Sequence, residues 1–261
     1  MAEQKLREQV PWTMQQTFLG ILFTLVPWLI LSFWLAFASG SPPGKPLPPE
    51  VDLANALVLF VFGSLIEGTF LIAPLVFARR AYRPVQERRL RWRRAWQALG
   101  FRRSHLWRAV LLVVAGFLLI TAINFLYGYL ITLLHQYFPS INIQTNDQRV
   151  LQEGKLAPLS TYALLLAAVL VAPFCEEMFF RGFVFMGLLR GMSLVWAGVF
   201  SALIFAVAHA DPGSFPVLFI IGLVLAYLRW RSGSIWPAIV LHLLNNGLSA
   251  LIIMLTLHGI L

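Results

Sequence analysis

Residues 171–185 read VAPFCEEMFFRGFVF, which places Glu176, Glu177 and Arg181 inside a run that is otherwise apolar. Whether this run lies in a bilayer or in a soluble core decides the fold. Hydrophobic residues make up 59% of the 261 positions and charged residues only 12%, and the mean hydropathy is positive. A soluble domain of that make-up would need an implausibly apolar surface. The run around the two glutamates is one of seven, at roughly 18–38, 54–78, 107–134, 161–189, 194–210, 215–230 and 235–257, most of them near the ~20 residues that cross a bilayer as a helix. The expected fold class is therefore all-α, a polytopic membrane helical bundle of about seven to eight transmembrane helices. The run at 161–189 is long for one crossing and that at 215–230 is short, which points to a break, a re-entrant piece or a strong tilt in the second half. Period-two alternation is absent, which excludes porin-type strands. The chain also lacks a fixed-period repeat, a P-loop and a glycine-rich nucleotide fingerprint.

A net charge of +9 would suit a nucleic-acid partner if the charges were spread over one face. They are not. Ten arginines fall between Arg79 and Arg103, in RRAYRPVQERRLRWRRAWQALGFRR, directly after the second apolar run. The positive-inside rule assigns such a cluster to a cytoplasmic loop. Its aromatics Tyr82, Trp92 and Trp96 fit an interfacial helix lying on anionic lipid headgroups, so the expected partner is the bilayer and not nucleic acid. The same rule places the N-terminus inside, the segments GSPPGKPLPPEVD and 135–160 outside, and with seven spans the C-terminus outside. Ala36-Phe37-Ala38 mimics a signal-peptidase site, but the preceding apolar stretch is too long for a signal core, so a retained first helix is expected. The organisation reads as residues 1–150, N-terminal spans with the Arg-rich loop, followed by a helical core at 151–261. The single cysteine, Cys175, excludes an intramolecular disulfide and a cysteine zinc site.

In the first part, Glu67 would be costly facing lipid and is expected to face other helices or a cavity, in a structural or interfacial role ahead of a functional one, while Asn124 fits interhelical hydrogen bonding. The last hundred residues hold a denser set. On a helix Glu177 precedes Arg181 by four positions, the favourable order for an ion pair. Glu176 is rotated by ~100° from Glu177, so the same arginine cannot serve both carboxylates well. The remaining acid, shielded from bulk water, has the profile of a general base. Three more helical-spacing pairs follow: Phe205 and His209 in FAVAH, Gly222 and Ala226 in FIIGLVLA, and His242 and Asn246 in HLLNN. Gly222 and Ala226 form a small-xxx-small surface for close helix approach.

EEMFFR, FAVAH, FIIGLVLA and HLLNN resemble, in order, the EExxxR, FxxxH, FxxGxxxA and HxxxN motifs of the CPBP intramembrane proteases. That family includes the type II CAAX prenyl proteases and bacteriocin-processing and lysostaphin-resistance proteins. The resemblance covers about residues 160–250; residues 1–150 match only in being membrane-spanning. It implies that Glu176 activates a water molecule together with His209, that His242 and Asn246 stabilise the oxyanion, and that Glu177 and Arg181 are supporting members. Attack on an amide needs such a base, an oriented water and donors aimed at the developing charge.

Measured at ~1.5 Å per residue, Glu176 and His209 come out at similar depths, ~21 and ~25 Å along their helices, whereas Asn246 at ~17 Å and His242 are shallower. Straight helices would keep the groups apart. Two other chemistries use the same residues: zinc held by Glu176, His209 and His242, and a Cys175 thiolate paired with His209, disfavoured by its apolar surroundings. A third reading, a proton-coupled transporter, an immunity factor or a binding scaffold, uses the polar cluster without hydrolysis. The reading the residues favour is an intramembrane endopeptidase, a peptide-bond hydrolase without cofactor or metal, in a prokaryotic plasma membrane. Its substrate would be a membrane-associated peptide or protein; a lipidated one is compatible, but no residue implies a prenyl group.

Overall fold

The computed structural model describes residues 7–8, 10–38, 46–140, 143–154 and 157–261. Parts of the expected N-terminal tail and outer segments, Pro42 and Pro43 among them, lie outside the described residues. The described chain is helical throughout: α1 (Met14–Ala38), α2 (Pro49–Ala81), α3 (Arg88–Leu99), α4 (Leu106–Tyr137), α5 (Asn146–Gly154), α6 (Pro158–Leu189), α7 (Leu194–Ala208), α8 (Phe215–Ser232) and α9 (Trp236–Leu257). Among the described residues six helices are long and apolar enough to cross a membrane, and α7 is a shorter apolar helix. All seven predicted apolar runs are therefore helices, and the protein is an integral multi-pass membrane protein. Large apolar side chains such as Phe23, Leu106 and Phe125 point outward, as lipid-facing helices require.

The long sixth run is one helix with two interruptions. Pro158 opens it, and the Asp52 carboxylate of α2 accepts the free backbone N–H groups of Leu159 (2.8 Å) and Ser160 (2.9 Å), capping α6 from another helix. The helix turns at Val171, where Pro173 supplies no N–H to continue the ladder. It then widens into a π-helical stretch over Met178–Val184 before closing as α-helix at Phe185–Leu189. α2 is likewise interrupted, by a 3-10 turn at Thr69–Leu71 just ahead of Pro74.

From Cys175 to Leu189 every residue of α6 is buried. This half of α6 is the axis of the molecule. Phe70 of α2 meets Phe179 and Phe180 with ring centroids 5.2 and 5.6 Å apart, and Phe205 of α7 meets Phe180 edge-on at 5.2 Å. α1 closes one side: Trp28 donates to the Ala208 carbonyl (2.8 Å), and Arg190 holds the carbonyls of Val10 and Trp12 (2.9 Å each). α3 ends at Gly100 in the left-handed conformation (φ 104°), and its buried face of Ala95, Ala98 and Leu99 rests on the π-helical stretch. At Gly182 the two backbones nearly touch, since a Cβ there would lie 2.9 Å from the Leu99 carbonyl oxygen.

α7 and α8 pack most closely at Gly222, where an added Cβ would lie 2.9 Å from the Ala202 Cα. Lipid gives little apolar driving force for helix association, so this contact depends on how near the backbones can come. Gly222→Val is expected to destabilise the detergent-solubilised protein by about 1–3 kcal/mol through overpacking. Thermal unfolding of the two proteins side by side measures it, and an unchanged transition would show that the contact is not tight.

Candidate active site

The residues singled out on α6, α7 and α9 meet at the π-helical stretch. Arg181 Nη1 donates to Glu177 Oε1 at 2.9 Å, and both side chains are fully buried. Three further contacts hold the guanidinium: Nη2 donates to the Gly222 carbonyl of α8 (3.3 Å), its carbon lies 4.2 Å from the centre of the Phe205 ring, and Phe180 flanks it at 5.7 Å. The phenylalanine of FAVAH thus gives its π-face to a buried cation. The glycine of FIIGLVLA leaves its carbonyl within the arginine's reach.

Glu177 Oε1 accepts a second hydrogen bond, from His242 Nδ1 of α9 at 2.9 Å. His242 is therefore tied to the second glutamate of the pair and not to the first. Its Nδ1 proton is given to Glu177, so donation from this ring to a carbonyl requires a proton on Nε2 as well. His242 reaches Glu177 despite the depth mismatch expected from straight helices, and α6 is not straight-run α-helix here, being interrupted at Val171 and widened from Met178.

Glu176 faces the other way, toward α7. His209 follows the last residue of that helix, and Ala210 beyond it takes a left-handed backbone (φ 48°) that turns the chain sharply. His209 Nδ1 donates to the Phe205 carbonyl at 2.8 Å, and in the neutral ring this leaves Nε2 as an acceptor, 3.8 Å from Glu176 Oε2. Two acceptors at that separation do not bond each other. One water molecule donating to both would bridge them. Glu176 Oε2 is buried and lacks a hydrogen-bond partner among the described residues, whereas the His209 side chain keeps 28% of its surface exposed. The site has a dry half, Glu177–Arg181–His242, and a wetter half, Glu176–His209.

Asn246 stands one turn beyond His242 on α9. Its amide donates to the Ala168 carbonyl (2.9 Å), and its oxygen accepts from Asn245 (3.2 Å). Asn245 in turn accepts from Asn124 of α4 at 3.3 Å, which gives Asn124 its interhelical bond. Asn246 thus belongs to a polar ladder joining α4, α9 and the first half of α6, beside the histidine and glutamate cluster.

One neighbour of the site was not legible as such. Glu67 of α2, read as a structural residue, brings its carboxylate into electrostatic range of Glu176, and its Oε2 is buried without a partner among the described residues. The costly placement of an acid in an apolar run was the signal; its partner became visible only when α2 packed on α6. Cys175 is buried in the apolar core beside Glu176. For zinc, no group of three histidine, cysteine, aspartate or glutamate side chains among the described residues is placed to hold a metal ion, because His242 is drawn to Glu177 and away from Glu176 and His209.

A family model described as type II CAAX prenyl endopeptidase Rce1-like matches residues 158–248, from the start of α6 to the last third of α9. A protein of Bacillus subtilis (strain 168) named "Putative membrane peptidase YdiL" is 31% identical over 101 residues, 39% of this chain and 40% of that protein. The match therefore spans less than half the length of the relative. No solved structure matches. The matched segment holds all four motifs and every side chain of the dry and wetter halves, so it is in residues 158–248 that the chain is similar to the type II CAAX prenyl endopeptidase Rce1-like family.

Proposed function

We propose that the protein is a membrane peptidase of the CAAX-protease type, hydrolysing a peptide bond of a membrane-associated protein or peptide by glutamate-activated water. The observation that carries this reading is the buried Glu176 Oε2, without a protein partner and 3.8 Å from the acceptor nitrogen of His209. A water held by both groups gives one proton to Glu176 as its oxygen attacks the scissile carbonyl carbon. The carbonyl π-bond opens to an oxyanion, which hydrogen bonds from His242 Nε2–H and the Asn246 amide would stabilise; the latter requires that amide to turn from Ala168. Collapse of the intermediate breaks the C–N bond, and the proton on Glu176 passes to the departing amine. The products are a carboxylic acid, which loses its remaining proton to solvent, and an amine.

Glu177 and Arg181 act as positioning residues. The pair holds the His242 ring through Nδ1 and fixes the α6 backbone from which Glu176 projects. The family description and the relative's name support peptidase activity, and the bacterial relative supports a prokaryotic plasma membrane. One observation favours a second reading: Glu67 and Glu176, neighbouring buried acids, are also the makings of a proton relay in a transporter.

Glu176→Gln is expected to lower peptide cleavage by the detergent-purified protein at least ~10²-fold while leaving its unfolding transition in place. Cleavage is expected to survive both chelator and Cys175→Ser. Undiminished turnover in Glu176→Gln would overturn the mechanism, zinc-restorable loss with chelator would point to metal, and proton-driven uptake without any cleavage by the wild type would favour the relay.

The supporting pair has its own test in a double-mutant cycle. Arg181→Met leaves Glu177 charged and buried and is expected to cost about 3–5 kcal/mol of stability, whereas adding Glu177→Gln recovers a large part of it. Additive losses, read from unfolding in detergent, would show that the two side chains are not coupled.

A further inference from the structure

The turn that closes α3 gathers positive charge, and no carboxylate among the described residues is paired with it. A cavity of about 640 Å³ opens there, lined by Arg93, Gln97, Phe101, Arg102 and Arg103. No aspartate or glutamate occurs from Arg88 to Arg108. Beneath the turn lies Arg229, in the last turn of α8 and fully buried. Its guanidinium packs against Gly100, where an added Cβ would lie 2.8 Å from Nε, so both the left-handed φ and the missing side chain of Gly100 are needed to seat it. Arg229 Nε and Nη1 have no acceptor among the described residues, and its charged neighbour is Arg102 and not a carboxylate. Two like charges in partial burial repel, and an unpaired buried cation is costly. Burial likewise lowers the half-buried Arg102 from its ordinary value. Arg102 spends Nε on the Gln97 carbonyl (2.6 Å), which leaves its terminal nitrogens for a ligand.

We infer that this turn is a discrete binding site for a phosphate group, held by Arg93, Arg102 and Arg103 with Gln97 and backed by the buried charge of Arg229. Planar guanidinium groups match phosphate oxygens two at a time, and three of them converge here on one cavity. The arginine cluster also lies where the positive-inside rule places the cytoplasmic headgroup layer, so a lipid phosphate is at hand; a free phosphate or soluble phosphate ester presents the same oxygens. A bound anion would brace the site helices. The Gly100 carbonyl accepts from Ile235 N (2.9 Å), Ser234 Oγ donates to the Arg102 carbonyl (2.8 Å), and Leu99 touches Gly182 of the π-helical stretch. The turn therefore bears on α6 and on the start of α9.

The full-length protein in neutral detergent is titrated with dioctanoyl phosphatidic acid, with dioctanoylglycerol, which lacks the phosphate, and with inorganic phosphate, following thermal unfolding. The phosphatidic acid is expected to raise the transition by a few degrees and dioctanoylglycerol to leave it unmoved. Arg93→Gln/Arg103→Gln, both at the exposed rim, is expected to weaken the apparent affinity ~10-fold or more. Arg88→Gln/Arg89→Gln, which removes the same amount of charge from α3 away from the cavity, is expected to stay near wild type. Equal weakening in the two double variants would overturn the site in favour of a diffuse basic stripe, and so would the absence of a shift with either phosphate compound. A shift with phosphatidic acid alone identifies the ligand as a lipid headgroup; an equal shift with inorganic phosphate identifies it as a soluble phosphate. Unfolding of Arg93→Gln/Arg103→Gln without ligand confirms that the variant folds.

Discussion

The ion pair between Arg181 and Glu177 is the contact on which the rest of the catalytic half is hung. Both groups are fully buried, so the pair persists only because its remaining bonds are directional and come from different helices. α8 supplies the Gly222 carbonyl, α7 the face of Phe205 and α9 the ring of His242. In lipid, apolar surface alone does little to choose one helix register over another. Hydrogen bonds to a single buried guanidinium and its carboxylate do choose, and they bring four helices to a common point.

Two adjacent glutamates come to opposite duties through geometry alone. A rotation of ~100° turns Glu177 toward the arginine and Glu176 toward the helix end that carries His209. One acid is dry and held through Oε1 by Arg181 and His242, with its Oε2 buried and unpartnered among the described residues. The other keeps a buried, unpartnered oxygen next to a partly exposed imidazole. The π-helical stretch directly after the pair suits this division, because such widenings reorient side chains at functional sites without ending the helix. Gly182 within it lets α3 press on the backbone from the other side, so the Arg-rich helix belongs structurally to the site half of the molecule.

Much of the fold was legible before any coordinate. Hydropathy marks every membrane helix, the long run at 161–189 announces its own break, and the positions of Glu177 and Arg181 declare their pairing, because these depend on composition and on local helical period. The histidine at the end of α7 and the pair of small residues on α8 could be named for the same reason. The allotment of His242 to Glu177, the diversion of Asn246 to Ala168, the approach of Glu67 to Glu176 and the burial of Arg229 under Gly100 could not. Each depends on which faces of distant helices meet.

The sequence by itself determined that this is a helical membrane protein, where its helices run and which polar groups they carry inward, since the bilayer penalises every alternative for such a chain. Only the tertiary structure decided which of those groups meet. A displacement of α6 by one turn, ~5.4 Å, against α7 and α9 would exchange one set of partners for another.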